Sequence, residues 1–236
     1  MKKKRFFKSS ALALVIVVLA YLVFAYVVMP WDWLHYERRH PALEDLPHRT
    51  YTADGIPGDP LNVGFVATED ELKLAMLAAK WFPADSLTLK SCLKIAADAV
   101  LSRPYEDAPV SNLYLWERKE DLAFEQPVGD NPRKRHHVRF WQSKVEFDDG
   151  RPIWIGSVTF DRSVGLSHTT GQITHHIDPD IDAERDNLLS DIQKTGRLEK
   201  VFWVSDFQQQ SEGKNGGGDP YFTDRRLAVG VLRASK

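Results

Sequence analysis

Arg133-Lys-Arg-His-His-Val-Arg-Phe-Trp141 and Ile153-Trp-Ile-Gly-Ser-Val-Thr-Phe160, with Asp148-Asp149-Gly150 between them, decide the fold. Both runs are rich in β-branched and aromatic residues, and Asp-Gly between two such runs is a hairpin signal. The pattern predicts strands over residues 136–141 and 153–160, paired antiparallel. Side chains alternate on a strand, so His136, Val138 and Phe140 share one face, and His137, Arg139 and Trp141 the other.

Outward from this hairpin, Leu61-Asn-Val-Gly-Phe-Val-Ala67 reads as a strand. Thr68 with Glu71 three residues later is a capping box, which starts a helix running to about residue 80. A second helix fits residues 86–101, where Leu89, Leu93, Ala96, Ala97 and Val100 recur at helical spacing. Further strands are expected over 113–117, 123–126, 173–177, 200–207 and 226–232, and a last long helix over 179–194. Helices and strands come in blocks without regular βαβ alternation. That argues an α+β fold with a mainly antiparallel sheet and about three helices.

The N-terminus predicts the location. Residues 1–10 carry Lys2, Lys3, Lys4, Arg5 and Lys8 and no acid, and residues 11–29, ALALVIVVLAYLVFAYVVM, carry no charge. As a helix that run is about 28 Å long, close to the ~30 Å hydrocarbon core of a bilayer. Trp31, Trp33 and Tyr36 follow, where an aromatic belt would sit. The run exceeds a signal-peptide core of ~7–15 residues and ends without a small-x-small cleavage site, so it predicts an uncleaved transmembrane anchor. Basic residues before the span and mixed charge after it predict a single-pass protein of the cell membrane, N-terminus cytoplasmic and main domain extracytoplasmic. The expected organisation is a basic cytoplasmic tail over 1–10, an anchor over 11–29, a Pro- and Gly-rich tether over 30–57 and one domain over 58–236.

Net charge is −2, of which the first ten residues supply +5, leaving −7 on residues 31–236. So acidic a domain has no bulk attraction for nucleic acid. Cys92 is the only cysteine, which excludes an intrachain disulfide, and its apolar helical context reads as a small core residue.

Two segments carry candidate chemistry. In Gln172-Ile-Thr-His-His-Ile-Asp-Pro-Asp-Ile-Asp-Ala-Glu-Arg-Asp186 the alternation sends His175 and His176 to opposite faces, so one of them at most is expected at a given site. Asp178 before Pro179 is a natural N-cap, with Asp180 and Asp182 in the first turns. These acids either start a helix, or Asp182, Glu184 or Asp186 joins a histidine in binding a metal or sharing a proton. Arg185 shares a helical stripe with Ile181, Leu188 and Ile192, so its guanidinium needs a partner; Asp161, Asp121 and a ligand are the candidates. The second segment is the basic strand: Arg135, Arg139, His136 and His137 either contact an anion or form cross-strand ion pairs. The candidate catalytic groups are therefore His136, His137, His175, His176, Asp182 and Glu184, and the candidate anion contacts Arg135, Arg139 and Arg185. A divalent metal is compatible with these residues, though no metal signature, G-x-S-x-G elbow or P-loop is present. The glycine-rich Ser211-Glu-Gly-Lys-Asn-Gly-Gly-Gly-Asp219 reads as a mobile connection.

Taken together, Gly58-Asp-Pro-Leu-Asn-Val63, Ala108-Pro-Val-Ser111, Asp121-Leu-Ala-Phe124, Arg135-His-His-Val-Arg-Phe-Trp141, Trp154-Ile-Gly156 and Thr174-His-His-Ile-Asp-Pro-Asp-Ile-Asp-Ala-Glu-Arg-Asp186 resemble the LssY C-terminal domain family. Where that family often has a Gly-Arg pair, this chain has Glu117-Arg118. Some members are fused to DedA-type membrane segments or type-2 phosphatidic acid phosphatase domains. The resemblance thus implies membrane lipid or lipid-linked phosphate chemistry nearby, and as partners a membrane-embedded enzyme or a lipid-linked ligand. Two functions are expected: a ligand-binding or accessory module, or a His/acid hydrolase acting on a phosphorylated or lipid-linked substrate.

Overall fold

The computed structural model describes residues 14–20, 23, 46–52, 55–84, 88–90, 92–93, 112–129, 134–169 and 173–234. The chain divides into two compact units, Met1–Leu46 and Pro47–Lys236. In the first, residues 14–20 and 23 are helical and exposed. Most of the anchor expected over 11–29, and all of the tail over 1–10, lie outside the described residues. Among the described residues no helix is long and apolar enough to cross a membrane.

In the second unit the elements run β1 (Arg49–Tyr51), β2 (Pro57–Pro60), β3 (Val63–Val66), α1 (Glu69–Ala78), β4 (Phe82–Pro83), β5 (Tyr114–Leu115), β6 (Arg118–Lys119) and β7 (Leu122–Pro127). There follow β8 (Arg135–Glu146), β9 (Pro152–Leu166), β10 (Ile173–Ile177), α2 (Ile181–Lys194), β11 (Leu198–Val204), β12 (Glu212–Lys214), β13 (Pro220–Phe222) and β14 (Leu227–Leu232). Residues 88–90 and 92–93 are helical, within the helix expected over 86–101, the rest of which lies outside the described residues. β1 falls within the stretch read as tether.

The expected hairpin is the centre of the main sheet. β8 and β9 pair antiparallel, with Val138 opposite Val158 and Phe140 opposite Gly156. The sheet order is β11-β14-β3-β9-β8-β7-β4, and β10 pairs with the far end of β9. Its neighbours are antiparallel except β14 with β3, which are parallel, so the fold is α+β with a largely antiparallel sheet. Two smaller sheets, β2-β1-β5-β6 and β12-β13, complete the described part. The single strand expected over 113–117 is instead the short hairpin β5–β6. Trp116 and Glu117 adopt φ of 50° and 61° and turn the chain back, the geometry of a two-residue hairpin loop.

One face of the sheet is apolar. Phe65, Leu122, Phe124, Val138, Phe140, Trp154 and Val158 pack with Leu72 and Met76 of α1 and with Leu188 and Ile192 of α2. The capping box forms as read: Thr68 Oγ1 accepts from the Glu71 amide at 3.2 Å, and Glu71 Oε2 from the Thr68 amide at 2.9 Å. α2 begins later than expected. Asp180, not Asp178, caps it by accepting from the Ala183 amide at 3.0 Å, because Asp178 Oδ1 is taken by the Asp180 amide at 3.0 Å in a turn ahead of the helix.

α1 ends at a left-handed residue. Lys80 has φ 63°, and its amide and that of Trp81 donate to Leu77 O and Met76 O at 3.0 and 2.9 Å, the paired bonds of a Schellman end. A side chain in that conformation costs about 1 kcal/mol relative to glycine. Lys80→Gly should therefore raise the melting temperature by about 2–4 °C; an unchanged or lower value would show that the Lys80 side chain stabilises the domain by contacts of its own.

Candidate functional site

The opposite face of the same sheet is polar and yet buried. Arg135, His137 and Arg139 project from alternate positions of β8, facing Asp161, Thr159 and Ser157 of β9 across the ladder, and all six are buried. Arg135 is the hub. Its Nη1 donates to Glu125 Oε2 at 2.9 Å, its Nε to Asp161 Oδ2 at 3.3 Å, and its Nη2 lies 3.2 Å from His175 Nε2. A guanidinium has only donors, so His175 Nε2 accepts and Nδ1 holds the proton, 3.3 Å from Asp161 Oδ2. Arg139 Nη1 lies 3.6 Å from Asp59 Oδ2 of β2. Asn215 donates to Asp59 Oδ1 at 3.0 Å and accepts from the Asp219 amide at 2.9 Å. Asp219 Oδ1 in turn lies 2.7 Å from His176 Nδ1.

The electrostatics follow from desolvation. Burial, then the positive field of Arg139 and Arg135, holds His137 well below the ordinary histidine range, so it is neutral. The same causes lower His175 to about 4. Burial pushes the Asp161 carboxyl up to about 6 against the pull of Arg135 and Arg139, and also raises Asp59. In this layer His137 Nε2 and Ser157 Oγ are buried without a hydrogen-bond partner, and His175 Nδ1 is close to Asp161 but not aligned with it.

The structure thus sorts the residues singled out from sequence. His137, Arg135, Arg139 and His175 converge, and His176 joins them through Asp219, Asn215 and Asp59. His175 and His176 make different contacts, His175 with Arg135 and Asp161 and His176 with Asp219, in keeping with the alternation expected on β10. The ladder slips only after His176, where Asp161 rather than Arg162 pairs with Ile177, so His175 and His176 keep opposite faces of β10. His136 does not join them. It points to the apolar face, its Nδ1 2.6 Å from Glu184 Oε2 and its ring near Trp81 and Phe160. Asp182 and Arg185 are elsewhere too. Arg185 is 1% exposed, and it donates to Asp186 at 2.8 Å, Asp182 at 3.1 Å, Asp224 at 2.9 and 3.1 Å and Arg226 O at 3.2 Å. Its guanidinium carbon stands 4.8 Å from the Trp203 ring centroid. The partners proposed from sequence are engaged elsewhere, Asp161 with Arg135 and Asp121 with Arg118 and the Gln142 amide.

Sequence reasoning missed Asp59, Glu125, Ser157, Asp219 and His168 as members of this network. Ser157, Thr159 and Asp161, polar at every second position among apolar neighbours, were the available signal. The glycine-rich stretch ending at Asp219 is not a loose connection: it forms the hairpin β12–β13 and its turn, bonded within itself from Asn215 to Asp219.

The family model described as LssY C-terminus matches residues 43–227. The chain belongs to the LssY C-terminus family. The match covers every residue of the polar cluster and starts ahead of β1. No curated protein and no solved structure matches the chain. In this LssY C-terminal domain, Glu117 adopts φ 61°, a conformation that glycine takes without steric cost.

Two outcomes are expected. Arg185→Ala leaves several carboxylates facing each other and should cost about 3–5 kcal/mol, read as a large fall in melting temperature; a small fall would show that the pairs are dispensable. The second concerns pH. His137 and His175 are lowered in the fold, so the unfolded chain takes up their protons first below about 6.5, and their contribution is lost on acidification. Asp161 runs the other way: raised from 3.8 to about 6, it contributes fully below pH 4 and loses that as pH rises through 6. The trends oppose each other, so Asp161→Asn, measured in chelator, should make the melting temperature fall more steeply than wild type from pH 6.5 to 4. A slope unchanged by the substitution refutes the assignment.

Proposed function

We propose that this LssY C-terminal domain is a ligand-binding module, held at the extracytoplasmic face of the membrane by residues 11–29, and that its ligand is a phosphate-bearing anion such as a lipid headgroup or lipid-linked phosphate. The observation that carries the reading is the pair of unpartnered buried groups, His137 Nε2 and Ser157 Oγ, set beside Arg135 and Arg139. Buried polar groups are nearly always bonded, so their clustering signals a bonding partner from outside the protein, and an anion is met if the neutral His137 carries its proton on Nε2. The two arginines supply the positive field in which an anion would be held. The uncharged run over 11–29 and the basic tail before it support the tether and its orientation. In this reading the domain presents a lipid phosphate to a membrane-embedded enzyme.

A second reading, a hydrolase on a phosphorylated or lipid-linked substrate, draws on Asp161. A carboxyl raised to about 6 beside an imidazole holds a proton that it can donate near neutral pH. Of the residues that the sequence offered for this chemistry, Asp182 and Arg185 bond to each other and Glu184 pairs with His136, away from the polar layer.

The test uses the full-length chain, which should resist carbonate extraction from membranes, reconstituted in phosphatidylcholine nanodiscs. Inorganic phosphate and glycerol phosphate should bind saturably, and the ester should be recovered intact. Ser157→Ala removes an unpaired group, so it should leave stability unchanged or higher while weakening binding several-fold. Release of phosphate from the ester would favour the hydrolase; failure of both anions to bind would overturn the binding module.

A further inference from the structure

We infer that His168, His176 and Asp219 form a binding site for one divalent transition-metal ion, with zinc the ion that the donors fit best. This goes beyond the anion-binding reading and does not rest on it. The three side chains come from separate segments: the turn after β9, strand β10 and the hairpin β12–β13. Their donor atoms lie within 4.8 Å of one another. Asp219 Oδ1 is 2.7 Å from His176 Nδ1 and 3.9 Å from His168 Nε2. Donors around a tetrahedral zinc, at ~2.0–2.2 Å from the ion, stand about 3.3–3.5 Å apart. Small shifts reach that spacing, and the largest falls to His168, whose side chain is 68% exposed and has room to swing.

The surroundings are built to present these atoms. The Ile177 amide donates to Asp219 Oδ2 at 3.3 Å, which leaves Oδ1 turned toward the histidines. The Asp219 amide is held by Asn215 Oδ1, and the His168 amide by Gly217 O at 2.8 Å. Two glycines clear the space. A Cβ on Gly165 would stand 2.6 Å from His176 Nε2, so that imidazole lies against bare backbone, its Nε2 covered and its Nδ1 presented. A Cβ on Gly218, at φ +85°, would stand 2.8 Å from His168 Cβ. A plain His176–Asp219 hydrogen bond needs neither His168 nor Gly218. Two imidazoles with centroids 5.2 Å apart, gathered on one carboxylate oxygen, make a chelate. Two nitrogens and one oxygen suit zinc over calcium or magnesium, and three protein donors, with the exposed His168 at the mouth of the site, leave a coordination position for water. Asn215, which holds Asp219, also holds Asp59, so the outer shell of the ion runs into the polar cluster.

The experiment takes the full-length chain in detergent micelles, stripped with chelator, without phosphate. Zinc titrated calorimetrically should bind at one equivalent and raise the melting temperature, whereas calcium and magnesium should not. His168→Ala should match stripped wild type in melting temperature, because the side chain is exposed, yet lose zinc affinity by about tenfold or more together with the thermal shift. Cobalt added instead should give visible absorption in wild type that the variant lacks. Zinc binding unaltered in His168→Ala, or only weak uptake of several equivalents on surface histidines, would overturn the site. Because no anion is present, this result stands apart from the success or failure of phosphate binding.

Discussion

Strand β9 holds the domain together by pairing with three strands along one continuous backbone, β3 and β8 on opposite edges and β10 at its far end. Its first residues pair with β3, the stretch to Asp161 with β8, and the stretch beyond with β10. Without this shared strand the parallel β14–β3 pair, the β8–β7 hairpin and β10 would have no common ladder. Its two faces also set the two environments of the molecule. Trp154 and Val158 enter the apolar core, while Ser157, Thr159 and Asp161 line the buried polar layer.

That layer is unusual because desolvating charge is expensive. A buried ion pair is weak evidence for stability, since a well-packed apolar replacement often does as well. Arg135 is compensated by Glu125 and Asp161, and Arg139 lies beside Asp59, yet His137 and Ser157 still keep unpaired polar atoms. These groups, beside a raised Asp161 and a lowered His175, are the basis of the proposed anion site.

The Arg185 network is a useful contrast. Its guanidinium is as buried as any in the polar layer, but its donors go to carboxylates of α2 and of the segment before β14, and its face is covered by Trp203. It pins the start of α2 to the chain ahead of β14. Arg226 stacks on the same indole at 4.4 Å and shares Asp224, which adds to the clamp. Two buried arginine systems in one domain therefore differ in whether their polar groups are all satisfied.

Local pattern was enough for the elements whose physics is local. The Asp148-Asp149-Gly150 turn, the Thr68–Glu71 capping box and the Ile181, Leu188, Ile192 stripe each depend on residues a few positions apart, and each appears where the sequence puts it. The opposite sides of β8 were also legible, because alternation is a property of one strand. Tertiary structure alone decided which charges meet. Asp59, Glu125 and Asp219 reach the arginines and histidines across different strands. Long-range pairing sets which side chains face each other, and desolvation at those meeting points sets their charge; neither can be read from spacing along the chain.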